Sequence, residues 1–493
     1  MNKKGFDSEK YLRIKSQKIK ERISQFGNKL YLEFGGKLFD DNHASRVLPG
    51  FAPDNKFKIL MELREYAEIV IVISAVDIEN NKVRGDLGIT YDEDVLRLRE
   101  EFLARDMLVN SVVITHYRGQ ESAAAYRARL ERLGIKAYYH HTIKDYPNNV
   151  ALIDSDEGFG RNDYVETTRP LIVVTAPGPG SGKMAVCLSQ LYQDSKRGIK
   201  AGYAKFETFP IWNLPLKHPI NVAYEAATSD LNDVNMIDPF HLEAYGEAAV
   251  NYNRDIEIFP VMNAIFEDIY GENPYKSPTD MGVNMIGYCI SDDEVCCEAA
   301  KAEIIRRYYA ALGKLAEGLC NESEASKIAL LMKQLKITTD DRKVTVAAKE
   351  RHDITGNDAS AIELPDGTII TAESSSLLGP SAALILNAAK QMAGIDHNVK
   401  LIPAEMIEPI QRTKVTYLHG RNPRLHTDEV LVAISMLSIT DENCRKALDQ
   451  LPNFEGCQVH TTVLLSDVDR KIFQKLGVGL TSDPIKRKKR SNS

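Results

Sequence analysis

The first two-fifths of the chain alternate between short apolar runs and amphipathic stretches. Residues 30–34, 69–75, 111–116, 135–141, 171–176 and 199–206 are β-prone and mostly apolar throughout. A strand with one wet face would instead alternate apolar and polar side chains. Continuous apolar runs belong to strands covered on both faces, as in a parallel sheet. Between them, residues 56–66, 92–105, 120–133 and 184–193 carry apolar side chains at helical spacing. Alternation of strand and helix at these intervals predicts a doubly wound, Rossmann-like α/β sheet. Such sheets bind ligands at the carboxyl ends of their strands, so the loops after Phe34 and Ala176 form one cleft if their strands are neighbours. Ahead of the first strand, Tyr11, Leu12, Ile14, Ile19 and Ile23 form a thin apolar stripe on a helix expected over residues 8–25.

The pattern changes near residue 229. Helices are expected over residues 238–250, 261–269, 280–288 and 292–313, the last with Val295, Ala299, Ala302, Ile305, Tyr309 and Leu312 along one face. From residue 327 onward, strands are expected at 343–348, 361–364 and 368–371, with a Pro365-Asp-Gly367 turn between the last two and a helix over 381–393. The expected organisation is a multi-domain α/β protein. Residues 1–228 form the Rossmann-like domain, 229–326 a mainly helical middle domain, 327–485 a smaller C-terminal α/β domain, and 486–493 a basic tail.

The strongest chemical signal is Leu171-Ile-Val-Val-Thr-Ala-Pro-Gly-Pro-Gly-Ser-Gly-Lys183, a strand running into a glycine loop, a lysine and a helix. Glycines let backbone N–H groups turn inward into an anion-sized nest, and a helix N-terminus adds partial positive charge. Gly178, Gly180, Ser181, Gly182 and Lys183 are therefore expected to hold phosphate. The match to G-x-x-x-x-G-K-[ST] is P-loop-like but incomplete. Pro177 stands at the first glycine position and Met184 at the hydroxyl position, where a thioether cannot hold Mg²⁺. Ser181 and Thr175 are the nearby hydroxyls. A second glycine loop supplies Gly35, Gly36, Lys37 and Arg46, which would complete the phosphate cleft. Asp40, His43 and Asp77 are the candidate catalytic groups, with Asp40 or Asp77 as ligand for Mg²⁺ if the bound molecule brings it. Lys205 and Glu207 fall on one face of a strand, where charge needs either a partner or a use.

Composition narrows the partners. The chain has 493 residues, 27% of them charged, with net charge −7, so no overall field draws it to nucleic acid. No apolar run is long enough to span a membrane. Seven cysteines, an odd number without a C-x-x-C pair, argue for reduced thiols in a cytoplasmic protein. No zinc pattern is present, and no metal-ligating set is assigned. Cys296 and Cys297 are adjacent in an expected helix and so point to different sides.

Three strings carry a family resemblance: Tyr31-Leu-Glu-Phe-Gly-Gly-Lys-Leu-Phe-Asp-Asp-Asn-His-Ala-Ser-Arg-Val-Leu-Pro-Gly50, Ala176-Pro-Gly-Pro-Gly-Ser-Gly-Lys183 and Tyr203-Ala-Lys-Phe-Glu-Thr-Phe-Pro210. Through them the chain resembles, over almost its whole length, a bacterial family known as domain of unknown function 1846. The resemblance implies a cytoplasmic, multi-domain α/β protein. Some members bear the label ATP-dependent peptidase, but this chain lacks H-E-x-x-H and G-x-S-x-G. The expected function is binding of ATP, another nucleotide or a phosphorylated metabolite, with phosphoryl- or nucleotidyl-transfer chemistry. The alternative is a non-catalytic ligand-binding or homo-oligomeric assembly protein; peptidase activity is disfavoured.

Overall fold

The computed structural model describes residues 3–36, 38, 41–84, 88–231 and 233–486. They fall into two compact units. One comprises Lys4–Glu225 with Asn232–Cys297, and the other Met1–Lys3, Ala226–Leu231 and Glu298–Ser493. Residues 229–326, expected to form a middle domain, are shared between the two.

The first unit is built on a seven-stranded sheet. Its strands are β1 (Leu30–Phe34), β2 (Ala67–Ser74), β3 (Leu108–Tyr117), β4 (Lys136–His141), β5 (Leu171–Thr175), β6 (Gly202–Phe206) and β7 (Gly282–Val283). The spatial order is β7-β6-β1-β5-β2-β3-β4, and every neighbouring pair is parallel. All eight residues of β2 and all five of β5 are buried, which is why these strands read as unbroken apolar runs. The chain builds the sheet outward from β1 through β2, β3 and β4. It then returns to insert β5 between β1 and β2, and continues the other way through β6 and β7. The strand order therefore reverses around β1 and β5, where an open α/β sheet leaves a crevice at its carboxyl edge.

The longer helices around the site and its surroundings include α1 (Ser8–Gln25), α2 (Lys183–Lys196), α3 (Pro219–Ala227), α4 (Asn253–Tyr270) and α5 (Asp293–Glu317). Helix α1 starts where Asp7 accepts a hydrogen bond from the Lys10 N–H at 2.9 Å, and it buries Tyr11, Ile19 and Ile23. Two expected helices of this unit differ in the structure, one cut short and one largely replaced. Within residues 238–250 the helix ends at Tyr245, because Gly246 turns left-handed at φ 70°, and Val250–Tyr252 pairs antiparallel with Asn235–Ile237. Within residues 280–288, Gly282 and Val283 join the sheet edge beside β6, and a 3₁₀ turn follows at Ile286–Cys289. Backbone pairing at an open sheet edge overrode a weak helical pattern there.

The second unit has a four-stranded sheet of β8 (Ala359–Glu363), β9 (Ile369–Glu373), β10 (Gln458–Thr461) and β11 (Gly479–Ser482), in the order β9-β8-β10-β11. Only β10 and β11 run parallel. Its core gathers Ile362, Leu384, Ile385, Val430, Phe454 and Phe473. The strand expected at 343–348 is the start of a helix, Lys343–Thr355. Its β-branched Val344 and Thr345 are buried with Ala348, four residues after Val344, on a helical face. No helix among the described residues is long and apolar enough to cross a membrane.

Candidate functional site

Because β1 and β5 are hydrogen-bonded neighbours, the two glycine loops that follow them leave the sheet side by side at the strand-order reversal. The loop after β5 enters α2 directly. Gly182 takes φ 84° at the helix N-cap, where an alanine would be strained and would also bring its Cβ 3.3 Å from Thr115. Among the described residues, no side chain caps the helix. Its first-turn N–H groups thus lack the usual Ser, Thr or Asp acceptor. Gly178 is pressed against Tyr91, since a Cβ there would lie 2.4 Å from the tyrosine oxygen. A Cβ on Gly180, at φ 72°, would meet nothing among the described residues. The loop is anchored from two strands away: buried Thr115 of β3 donates to the Ser181 carbonyl at 2.6 Å. Lys183 Nζ lies 3.5 Å from Ser181 Oγ, at the mouth of the loop.

The loop after β1 is less uniform. Gly36 takes φ 76°, and a Cβ there would lie 2.9 Å from Lys56 Nζ. Lys56 pairs with Asp41 at 2.8 Å, and both side chains are mostly buried. Asp41 also caps the helix Asn42–Val47 through the Ala44 N–H. His43, half-buried in that helix, packs edge-on against Phe209 with ring centroids 5.2 Å apart. Arg46 is exposed in its last turn. Lys37 and Asp40 lie outside the described residues. Asp77 follows β2 in a short helix and pairs with Lys82 at 3.1 Å.

The site brings in groups that sequence patterns did not single out. Glu33 of β1 is in register with Lys205 of β6, so both side chains share one face of the sheet. Tyr203 donates to Glu33 at 2.6 Å, and Lys205 donates to the Tyr252 oxygen at 2.6 Å and to Asp255 of α4. Glu207 stands 3.7 Å from Lys205. Burial works against the Lys205 ammonium, but Asp255, Tyr252, Glu207 and Glu33 outweigh it and hold its pKa well above the usual lysine value. Burial pushes the Glu207 carboxyl up to about 7; Lys205 opposes the rise and Asp255 adds to it. Lys15 of α1 is fully buried and donates to the carbonyls of Glu207 and Val283, and burial pulls its pKa well below the ordinary lysine value. The Cys187 thiol, one turn into α2, is raised by burial and by Glu33 and lowered by Lys183.

Three buried polar atoms at this edge have no hydrogen-bond partner among the described residues: Thr175 Oγ1, Glu207 Oε1 and Thr208 Oγ1. Each stands at the end of β5 or just past β6. Native interiors satisfy nearly all such atoms, so their concentration at one sheet edge needs a reason. Lys205 and Glu207 were visible in sequence as same-face charges. Thr115, Tyr91, Lys15 and Lys56 were not, because each reaches the site only through the fold.

The N-terminal profile of domain of unknown function DUF1846 matches residues 4–336, and its C-terminal profile matches residues 340–491. A UPF0371 protein of Corynebacterium urealyticum is 56% identical over 481 residues, covering 97% of each chain. A UPF0371 protein of Streptococcus pyogenes serotype M5 is 55% identical, covering 98% of this chain and 97% of its own. One of Streptococcus thermophilus is 54% identical and covers 98% of both. With both halves of the family matched and full-length relatives above half identity, the chain belongs to the DUF1846 family.

Proposed function

We propose that the first unit binds a phosphate-bearing small molecule, a nucleotide or a phosphorylated metabolite, at the carboxyl edge of its parallel sheet. The observation that carries this is the uncapped start of α2, with Lys183 beside it, at the point where the strand order reverses. Phosphate rests on the backbone of Gly180, Ser181 and Gly182 and on the first-turn N–H groups, with Lys183 as counter-charge. Gly35, Gly36 and Arg46 form the facing wall. The chemistry that suits such a site is phosphoryl or nucleotidyl transfer, which asks chiefly for positioning and charge neutralisation. Lys205 stays charged beside Asp255 and supplies a fixed cation. Glu207, with its pKa about 7, is suited to accept or release a proton at neutral pH.

Thermal unfolding against a panel of nucleotides and phosphosugars tests this. A ligand at a hundred times its Kd stabilises the native state by roughly 2.7 kcal/mol, a shift of several degrees. The expected result is stabilisation of the native protein by at least one phosphate compound and its loss in Lys183→Ala. Stabilisation without turnover would assign a binding role in place of catalysis. A panel without a hit, or equal shifts in Lys183→Ala, would refute the site.

A further inference from the structure

We propose that His218, Asp293 and Cys297 form a zinc site, with a fourth position open to solvent. It is independent of the phosphate site and rests on different residues. His218 directly precedes α3, and its backbone is fixed on both sides. Its N–H donates to the Pro215 carbonyl at 2.9 Å, and its carbonyl accepts from Val222 N–H at 3.0 Å. Asp293 and Cys297 lie four residues apart at the start of α5, so one helical face presents both. Asp292 caps that helix through the Val295 N–H at 3.2 Å, fixing the first turn. Cys296, the neighbouring cysteine, points elsewhere and donates to the Gly5 carbonyl at 3.3 Å.

The three ligand atoms have the spacing that a tetrahedral ion demands. His218 Nε2 is 3.1 and 3.3 Å from the two Asp293 oxygens and 3.6 Å from Cys297 Sγ, and Cys297 Sγ is 3.7 Å from Asp293 Oδ2. Zinc bonds of about 2.3 Å to sulfur and about 2.0–2.1 Å to nitrogen and oxygen, at tetrahedral angles, place S···N and S···O edges near ~3.5 Å and the N···O edge near ~3.3 Å. A thiolate, an imidazole and a carboxylate together select a borderline-soft ion over magnesium or calcium. The His218 side chain is 9% exposed and Asp293 60%, so the cluster is walled on the imidazole side and open on the carboxylate side. Three protein ligands and an open side is the layout in which water takes the fourth place. Sequence inspection missed the cluster because His218 and Asp293 are 75 residues apart, outside any local zinc pattern.

The protons balance simply. Without metal, His218 Nδ1 accepts from the Ile220 N–H at 3.3 Å, so Nε2 carries the ring proton toward Asp293. On binding, Cys297 forms the Zn–S bond and releases its thiol proton to solvent. The ring proton moves to Nδ1, and the long, part-buried Ile220 contact at the start of α3 is given up.

Cobalt substitution tests the proposal directly. The full-length protein, stripped with EDTA and titrated with Co²⁺, is expected to take up one equivalent. It should show a near-ultraviolet thiolate-to-cobalt charge-transfer band and the intense visible bands of a four-coordinate ion, and Zn²⁺ should bleach both. Cys297→Ser removes the charge-transfer band, and Asp293→Asn, at an exposed position, weakens binding about tenfold or more without disturbing the fold. Cys320→Ser, a half-buried cysteine elsewhere, leaves the spectrum unchanged. No charge-transfer band in the native protein, or one that survives Cys297→Ser, overturns the site.

Discussion

At the scale of single residues, the proposed phosphate loop depends on a hydroxyl outside it. Thr115, on β3, two strands away from β5, holds the Ser181 carbonyl at 2.6 Å. Thr115→Val keeps the shape but leaves a carbonyl of a mostly buried serine unpaired, a loss of about 1–3 kcal/mol. Chemical unfolding should show that loss, and ligand-induced stabilisation should shrink with it. Glu207 makes a pH-dependent prediction. Its carboxyl is raised from 4.5 to about 7. A carboxyl raised in the folded state contributes its stability in full below the unfolded pKa and loses it as pH climbs through the folded one. Relative to Glu207→Gln, the native protein should therefore lose up to about 3 kcal/mol between roughly pH 4.5 and 7.5. Urea unfolding of both proteins at pH 5 and pH 8 checks it; a difference that stays constant would show that Glu207 titrates as in water.

At the scale of elements, the central strands were legible because burial on both faces removes polar alternation. Residues 30–34 are β1 without adjustment, and 69–75 and 171–176 differ from β2 and β5 by one or two residues at their ends. Helix α1 was legible from its apolar stripe; its Asp7 cap emerged only in the structure. What sequence could not show was order: nothing local says that β5 inserts between β1 and β2, and that insertion brings the two glycine loops together. The edge strand β7, two residues long, carries no periodicity at all. The same limit hid the partner of Lys205, which lies on α4, 50 residues away in Asp255. Their side chains are 14% and 8% exposed, so removing one partner strands a charge in a low-dielectric place. Lys205→Met should cost about 3–5 kcal/mol, and adding Asp255→Leu should recover most of it. A double variant whose cost, measured by urea unfolding, equals the sum of the two single-variant costs would mean the pair is not coupled.

At the scale of the whole molecule, no disulfide joins any two of the seven cysteines, and only Cys297 and Cys320 are even half-exposed. Thiol titration in EDTA should count seven groups after unfolding, with those two reacting first in the native protein; fewer than seven in non-reducing buffer would reveal a disulfide. In the proposed function, the sheet of the first unit presents one edge to a phosphate-bearing molecule. Hydrogen–deuterium exchange, with and without a compound that stabilises the protein, tests it at the amides concerned. Slower exchange at Gly182, Lys183, Met184 and Ala185 is the predicted result. Unchanged exchange across those residues, with protection appearing elsewhere, would contradict the account.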